Sequence, residues 1–508
     1  MASRPGDTNK GNNLALTNPT WKGVLVIIGS IIVEFTLGSS YTLGNFSTYI
    51  ISYMRVRGIS PDILYTSSIW ISASNTIATG FFMFVSGYLE KCFGPRITTL
   101  IAGWFFSGCI ALTYFSVQYS FPCLILTYGF LIGIGGSIVY PVGLNCAMRW
   151  FPNKKATAVG VVLAGYGMAA FFWNPLITFY INPKNFTPNR KIGNEIYFSQ
   201  PEVLDNVPSC FLVLGSSYAV ILLLGALLTF NPKLSSVPAS QTIETESDSN
   251  SESDLEQSKN EDQIQLMRIS RKRVKPELQQ KNQPNINSEN KDYKTEILEE
   301  EEEFSLSPQE VLKTRQFYLL WFILFFLNQS IDFICTLYKA YGQTFIKNDH
   351  FLSMTGAFAS IANASGRMLW GLIGDRFPFK KTMFSLLLIL TFLLASLSFT
   401  EKGGKFMFSI WIFLIYLTFS GTFVLLPAIT QKTFGAKHYL TNYGLVFTSH
   451  ILNGSLGSYM TIELKKILGW HGMFFLSAGI SSICAIFTCL FTELKPSLNR
   501  FSKTTTRD

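Results

Sequence analysis

Arg367 is the residue whose chemistry is hardest to reconcile with its surroundings. It is the only charged residue of the apolar stretch Phe351–Gly374, which is long enough to cross a membrane. A guanidinium group in hydrocarbon costs at least ~2.5–3.5 kcal/mol, so we expect it to face a cavity and to bind something there. Its planar fork of N–H donors matches a carboxylate. Arg367 therefore predicts a membrane protein that handles an anion.

Glu34, Asp332 and His450 are further ionisable residues that lie within apolar runs. A buried carboxyl group can pair with a cation, carry a proton or serve as a structural hydrogen-bond partner, and the sequence does not choose among these roles. Histidine is neutral or cationic near physiological pH. His450 could therefore be a proton-coupling switch, a neutral hydrogen-bond donor or a packed structural residue.

The elements that must hold these residues are membrane-spanning helices. Of the 508 residues, 48% are hydrophobic and 14% are charged, whereas a soluble domain has about 25% charged residues. Twelve apolar runs are each long enough to cross about 30 Å of hydrocarbon. They predict an all-α membrane protein with twelve transmembrane helices, called spans 1 to 12 below, at residues 23–45, 66–87, 97–116, 122–148, 156–180, 207–230, 317–341, 352–374, 382–399, 406–431, 441–462 and 470–491.

A change in composition divides the spans into two bundles. Residues 231–316 are polar and rich in serine and acidic residues, which predicts a disordered linker between bundles at 23–230 and 317–491. Ser307, Pro308 and Glu310 form a capping-box pattern that predicts a short helix near 308–315. The linker and the tails 1–22 and 492–508 should share one side, which the basic C-terminal tail suggests is cytoplasmic. The Asn185 glycosylation sequon would then face outward.

The two bundles repeat a glycine pattern. Gly87 and Gly371 are 284 residues apart, and so are Gly160 and Gly444. One offset at two landmarks predicts two pseudo-symmetric six-helix bundles related by duplication.

Several chemistries find no support in the sequence. The eight cysteines are scattered without a CxxC pair, and there is no phosphate-binding GxxxxGK[ST] loop and no Ser/His/Asp order. The densest basic cluster, Arg271–Arg273 with Lys275, lies in the linker and suits a membrane-adjacent tract better than nucleic acid. We expect no metal, no cofactor, no nucleic-acid partner and no enzymatic activity.

The loops after spans 2 and 8 resemble the gating-loop signature G-x-x-x-D-R-x-G-x-R of the major facilitators. The loop after span 8 matches at Gly371 and Asp375. In the loop after span 2, Lys91 takes the acidic position and Glu90 lies one residue early. An ordinary charged turn is the alternative reading. The gating residues implied by the resemblance are Glu90, Arg96, Asp375 and Arg376.

A longer pattern from Ile138 to Lys154, continued by Ala164–Gly167, resembles the oxalate/formate antiporter branch of that family, which adjoins the monocarboxylate transporters. The resemblance implies that Arg367 binds a substrate carboxylate. The lysine of that branch is replaced by His450, which favours a monoanion. The resemblance and the 284-residue offset add Tyr41 and Tyr140 as pocket aromatics, Tyr166 facing His450 across the pseudo-twofold axis, and Asn363 as a positioning residue for Arg367.

These observations predict a multi-pass secondary transporter for a small organic anion. The expected substrate is a monocarboxylate such as pyruvate or lactate, moved by alternating access with a proton or by exchange. A larger carboxylate such as pantothenate is an alternative, and a transporter-like sensor that signals through its linker is another. His450, Glu34 and Asp332 are the candidates for proton coupling. The host membrane, plasma membrane or organelle, is left open.

Overall fold

The computed structural model of the chain describes residues 21–192, 195–232, 304–346 and 348–494. Nearly all of the described residues are helical. The rest lie in loops and in a hairpin in which Arg190–Ile192 pairs antiparallel with Glu195–Tyr197. Most of the predicted linker and almost all of both predicted tails lie outside the described residues.

The first bundle contains spans 1 to 6. Span 1 begins as an α-helix, passes through a 3₁₀ segment and continues as a second α-helix, so it reaches eleven residues beyond the predicted end. Span 2 runs into span 3 through Gly94, whose φ of 75° turns the chain. The helical segments are Trp21–Leu37, Gly38–Thr42, Leu43–Val56, Tyr65–Ser68, Ile69–Phe82, Val85–Tyr119, Phe121–Leu124, Ile125–Leu131, Ile132–Trp150, Pro152–Lys154, Lys155–Ile181, Pro201–Leu204 and Asn206–Leu228.

The second bundle contains spans 7 to 12. Span 10 is interrupted after Phe419, and span 11 contains a π-helical turn at Asn453–Gly457. Gly469, with φ of 63°, turns the chain between spans 11 and 12. The helical segments are Pro308–Val311, Arg315–Gly342, Asp349–Arg376, Phe379–Ser396, Leu397–Phe399, Thr400–Phe419, Thr422–Phe434, Tyr439–Val446, Ser449–Leu452, Asn453–Gly457 and Ser458–Leu490.

Length and hydropathy separate three spans from the others. Eight helical stretches of the described chain are long and apolar enough to cross a membrane. They include spans 1, 3, 4, 5, 6, 7 and 12, with spans 9 and 10 in one stretch. Most of span 2 and all of spans 8 and 11 fall outside them. These three helices all pack along the interface between the bundles.

The bundles meet along two seams. In the 5–8 seam, a Cβ atom on Gly160 would lie 2.4 Å from the Arg367 carbonyl oxygen, and one on Gly371 would lie 2.6 Å from that of Ala156. In the 2–11 seam, a Cβ on Gly444 would lie 2.3 Å from Phe84 Cα, and one on Gly87 would lie 2.1 Å from Thr441 Oγ1. The four glycines of the repeat are therefore among the close crossings of these seams.

The segment that enters span 7 belongs to the second bundle. The Glu310 carboxylate accepts hydrogen bonds from the Ser307 amide (2.8 Å) and hydroxyl (2.7 Å), as the capping pattern predicts. The helix itself, Pro308–Val311, is shorter than predicted. The Leu306 amide donates to the Phe434 carbonyl, and Asn442 donates to the Leu306 carbonyl. We call the face where Leu228 ends span 6 and Arg315 begins span 7 the linker side.

Candidate functional site

Arg367 lies in span 8, at the interface between the bundles, with 1% of its surface exposed. Its Nε donates to Asn363 Oδ1 at 2.9 Å, one helical turn earlier, as the i, i+4 spacing allows. One terminal nitrogen donates to the Leu163 carbonyl of span 5 at 3.0 Å, and the other lies 3.4 Å from the Tyr41 hydroxyl of span 1. The guanidinium is thus held by three helices from both bundles.

Aromatic rings line the space around this guanidinium. Arg367 Cζ lies 5.2 Å from the centroid of Tyr166 and 5.1 Å from that of Phe423. Tyr41 and Tyr166 pack edge to face at 5.1 Å, and Tyr140 meets Tyr166 at 6.1 Å. Tyr41 is 44% exposed although it contacts the buried Arg367. Its free surface therefore faces the space between the bundles.

Arg367 has no acidic partner among the described residues. A guanidinium has five N–H donors, and the three contacts above use three of them, leaving two. Glu34, within electrostatic range on span 1, is fully buried, and neither of its carboxyl oxygens has a hydrogen-bond partner in the described chain. A buried cation without an anion is costly, so the site is suited to an incoming carboxylate.

His450 is not joined to this cluster. Its Nε2 lies 3.4 Å from Asn328 Nδ2 of span 7, and its ring stacks on Phe447 at 4.4 Å. Nδ1 is buried without a described partner. Within the described chain, no hydrogen bond or ring contact links His450 to Tyr166, the residue predicted to face it. The connection between them runs through Tyr140, which approaches Phe447 at 6.4 Å.

Asp332 lies further from the linker side on span 7, and its side chain is exposed. It is within electrostatic range of Tyr41. A Cβ atom on Gly457, in the π-helical turn of span 11, would lie 3.7 Å from Asp332 Oδ2. The described contacts therefore bring Arg367, Asn363, Tyr41, Tyr140, Tyr166 and Glu34 together, and leave His450 and Asp332 on the adjoining wall of spans 7 and 11.

Comparison with known proteins identifies the architecture that carries this site. The sequence profile of the Major Facilitator Superfamily matches residues 27–458 and again 339–507. The chain belongs to the major facilitator superfamily. The *Escherichia coli* fucose:proton symporter of this fold superposes with a TM-score of 0.59 at 12% identity, over 94% of this chain and all of that one. The predicted all-α, multi-pass membrane architecture is confirmed.

Two curated relatives match this major facilitator along most of its length. Apicoplast pyruvate carrier 1 of *Toxoplasma gondii* is 23% identical over 94% of this chain and 89% of its own. The oxalate:formate antiporter of *Oxalobacter formigenes* is 23% identical over 82% of this chain and 79% of its own. The predicted resemblance to the oxalate/formate branch is therefore confirmed.

The loop after span 8, in which the sequence predicts gating residues, contacts both bundles of this major facilitator. The Asp375 carboxylate accepts hydrogen bonds from the amides of Ala156 (2.9 Å) and Thr157 (2.7 Å), at the start of span 5. A carboxylate on helix N-terminal amides satisfies orphan donors and complements the helix dipole. Asp375 thus fastens the linker side of the 5–8 seam, while the neighbouring Arg376 is exposed.

The loop after span 2 is arranged differently. Glu90 accepts hydrogen bonds from Asn145 and Asn231 and lies 3.7 Å from Arg149, all in its own bundle. Arg96 stacks over Phe230 at 5.0 Å, again in its own bundle. Neither predicted gating residue of this loop reaches the second bundle through a described hydrogen bond or ion pair.

Two further tyrosines lie beside the site and are not predicted from the sequence. Tyr443 and Tyr439 of span 11 are buried and stack on each other at 5.5 Å, and the Tyr443 hydroxyl approaches that of Tyr140. The Tyr439 hydroxyl is buried without a described partner. Their four-residue spacing was the available signal, but it is equally typical of aromatic packing within a bundle.

Proposed function

We propose that this protein moves a small carboxylate across its membrane by alternating access of its two bundles. One observation carries the proposal: Arg367 is a buried guanidinium between the bundles, with two N–H donors and no acidic partner in the described chain. A carboxylate would supply the missing charge through a charge-assisted, bidentate contact. The names of the relatives, a pyruvate carrier and an oxalate:formate antiporter, support the same ligand class. No catalytic step is proposed.

A monocarboxylate such as pyruvate or lactate suits this site better than a dianion. Arg367 is the cation at the centre of the interface, while His450 hydrogen-bonds with Asn328 on the wall formed by spans 7 and 11. The rings of Tyr41, Tyr140 and Tyr166 would enclose the apolar part of such a ligand and offer hydroxyl donors. A larger carboxylate such as pantothenate has the same carboxylate group for Arg367 to bind. Measuring whether pantothenate or lactate competes with labelled pyruvate for uptake distinguishes the two.

Proton coupling and exchange are both compatible with this arrangement. His450, Glu34 and Asp332 are the candidate proton carriers in our proposal. The hydrogen bonds of Asp375 to the start of span 5 support a state closed at the linker side, and the exposed surface of Tyr41 suits entry from the opposite side. With the linker in the cytoplasm, this state would receive substrate from outside the cytoplasm.

The test is uptake of labelled carboxylates by proteoliposomes containing the purified protein. We expect Arg367→Gln to reduce pyruvate uptake about 100-fold, because truncating one partner of a buried charge pair costs about 2–5 kcal/mol. The matched control is Arg190→Gln, which removes an exposed guanidinium from the hairpin. Wild-type uptake by a folded Arg367→Gln protein would rule out Arg367 as the carboxylate site.

A further inference from the structure

A stripe of aromatic residues leads along span 11 toward the linker side. Tyr439, Tyr443 and Phe447 are four residues apart, so they share one face of the helix. The rings of Tyr439 and Tyr443 stack at 5.5 Å, and Tyr443 meets Phe447 at 4.8 Å. Phe447 approaches Tyr140 of span 4 at 6.4 Å. These three rings, called the span 11 stripe below, therefore face the first bundle.

The span 11 stripe starts beside the proposed carboxylate site. Tyr140, which contacts Phe447, also meets Tyr166 at 6.1 Å, and Tyr166 lies 5.2 Å from Arg367 Cζ. Span 11 begins on the linker side, and Tyr439 is the first residue of its helix. Successive ring contacts thus connect the guanidinium with Tyr439, the member of the stripe nearest the linker side.

The hydroxyl group of Tyr439 has no hydrogen-bond partner in the described chain, although the residue is only 1% exposed. A phenylalanine would fill the same space without burying an unpaired hydroxyl group, which is costly. The hydroxyl can donate one hydrogen bond to a carboxylate. It would become available to an anion when the bundles separate on the linker side.

Cations lie where the span 11 stripe reaches the linker-side surface. Lys437 is exposed two residues before Tyr439. Lys91 reaches the same end of span 11 from the first bundle, because a Cβ atom on Gly87 would lie 2.1 Å from Thr441 Oγ1 and Lys91 follows one helical turn later. Lys91 is also exposed, and neither lysine forms an ion pair with a described residue.

The acidic residues near this end of span 11 are engaged elsewhere. Glu90 bonds side chains of its own bundle, and Glu310 caps the short helix before span 7. At the 5–8 seam, in contrast, the carboxylate of Asp375 lies at the linker-side end. Fixed charges raise or lower the local concentration of an anion. The 2–11 seam should therefore attract an anion that the 5–8 seam repels.

We propose that the transported carboxylate passes along span 11 on the linker side, with the Tyr439 hydroxyl as a second binding site on its way. The inference rests on the proposed function. When the linker side opens, Tyr439 donates a hydrogen bond to the carboxylate that has left Arg367. Lys91 and Lys437 then draw the anion to the surface, and they attract it in the same way when transport runs in the opposite direction.

The first experiment measures access and uses no transported substrate. Tyr439→Cys would be made in the full chain with the exposed Cys92 and Cys489 replaced by serine. Anionic and cationic methanethiosulfonate reagents would be added to membrane vesicles that present the linker side. We expect both reagents to modify the introduced thiol. Lack of reaction in this variant would overturn the proposal.

The same reaction tests the surface cations. We expect the ratio of the anionic to the cationic reaction rate to fall at least about threefold when Lys91→Gln and Lys437→Gln are combined with Tyr439→Cys. Lys381→Gln is the matched control, because it removes an exposed lysine from the start of span 9 on the same side. It should leave the ratio unchanged. An equal fall in the control, or none in the variant without Lys91 and Lys437, would contradict the proposal.

The second experiment measures pyruvate transport from each side, in right-side-out and inside-out vesicles. We expect Tyr439→Phe to raise the half-saturating concentration on the linker side about fivefold, the order of one net hydrogen bond, and on the opposite side by less than about twofold. Tyr341→Phe is the matched control, since it removes a buried hydroxyl group of span 7 that packs against Trp470 and Phe474. Equal changes on both sides in Tyr439→Phe, or no change, would overturn the proposal.

The two experiments separate this inference from the proposed function. Failure of the wild-type protein to transport any carboxylate would count against the function, while the thiol reactions would still decide whether an anion reaches Tyr439 from the linker side. Normal carboxylate transport with equal half-saturating concentrations in Tyr439→Phe and wild type would count against the inference alone.

Discussion

At the linker side, the 5–8 seam closes on a carboxylate, whereas the 2–11 seam closes next to cations. Asp375 caps the amides of Ala156 and Thr157. The residue 284 positions before Asp375 is Lys91. The helix it adjoins, Tyr439–Val446, begins without a side-chain cap. The same offset pairs Arg367 with Met83, a buried apolar residue.

The glycine positions of the two seams, in contrast, are the same. Glycine occupies the equivalent crossing in both, at 87 and 371 and at 160 and 444. Close approach of helix backbones needs a residue without a side chain, and both seams must make it when the linker side closes. The two seams therefore share their contact surfaces, whereas Arg367, the residue that we propose binds the ligand, lies in one of them.

Among changes to the two seams, the largest effect should come from adding a methyl group at the glycine crossings. Gly160→Ala places a Cβ 2.4 Å from the Arg367 carbonyl oxygen, and Gly444→Ala places one 2.3 Å from Phe84 Cα. Overpacking costs about 1–3 kcal/mol, so we expect about a tenfold loss of uptake for each variant. Gly108→Ala is the control, because nothing lies within 4 Å of its Cβ position. If uptake fell in Gly160→Ala but not in Gly444→Ala, close packing of the 2–11 seam would not be needed for transport.

A smaller effect should follow from neutralising Asp375, whose carboxylate joins spans 5 and 8 at the linker side. Asp375→Asn replaces charge-assisted hydrogen bonds to helix amides with weaker ones, at a cost of about 1 kcal/mol. We expect uptake to fall several-fold. The distribution of distances between spin labels at the exposed positions Asn153 and Phe377 should become broader. Glu90→Gln provides the comparison, because its carboxylate bonds within its own bundle. If Glu90→Gln broadened the distance distribution equally, the two loops would not differ in how they hold the bundles together.

The smallest effect concerns the charge at the 2–11 seam. Partial burial lowers the pKa of His438, and the nearby cations Lys437 and Lys91 lower it further, while Glu310 opposes them. Because the unfolded chain then binds a proton more readily, stability should fall as pH drops through about 6.5 and below. Lys91→Asp should raise the pKa of His438 and flatten this fall, measured as melting temperature against pH. Lys402→Asp, at another exposed position, should leave the slope unchanged.

The sequence predicted those parts of the site that depend on local spacing. Arg367 and Asn363 are one turn apart, and their hydrogen bond follows from helix geometry. Nine of the twelve spans follow from apolar length, although span 1 extends to Val56 and the short helix ends at Val311. The capping box likewise formed between neighbours in the chain.

Parts that depend on the mutual placement of spans were harder to predict. The 284-residue offset relates Tyr166 to His450, but symmetry equivalence does not imply contact. Tyr166 bonds Ser40 and stacks beside Arg367 in the first bundle's wall, while His450 pairs with Asn328. Arg367 also donates a hydrogen bond to the backbone carbonyl of Leu163. Every residue has such a carbonyl, so the residue type at 163 could not predict this contact.

The 3₁₀ segment Gly38–Thr42 carries Tyr41 at the point where span 1 passes from its first α-helix to its second. A 3₁₀ turn rises about 2.0 Å per residue, against 1.5 Å for an α-turn, and winds more tightly. Rewinding these five residues as α-helix would shorten the span by about 2.5 Å and turn Tyr41, the fourth of them, by about 80° around the helix axis. The phenol that now contacts Arg367 at 3.4 Å would leave the guanidinium and uncover it. The winding of this segment would therefore set whether Tyr41 covers Arg367.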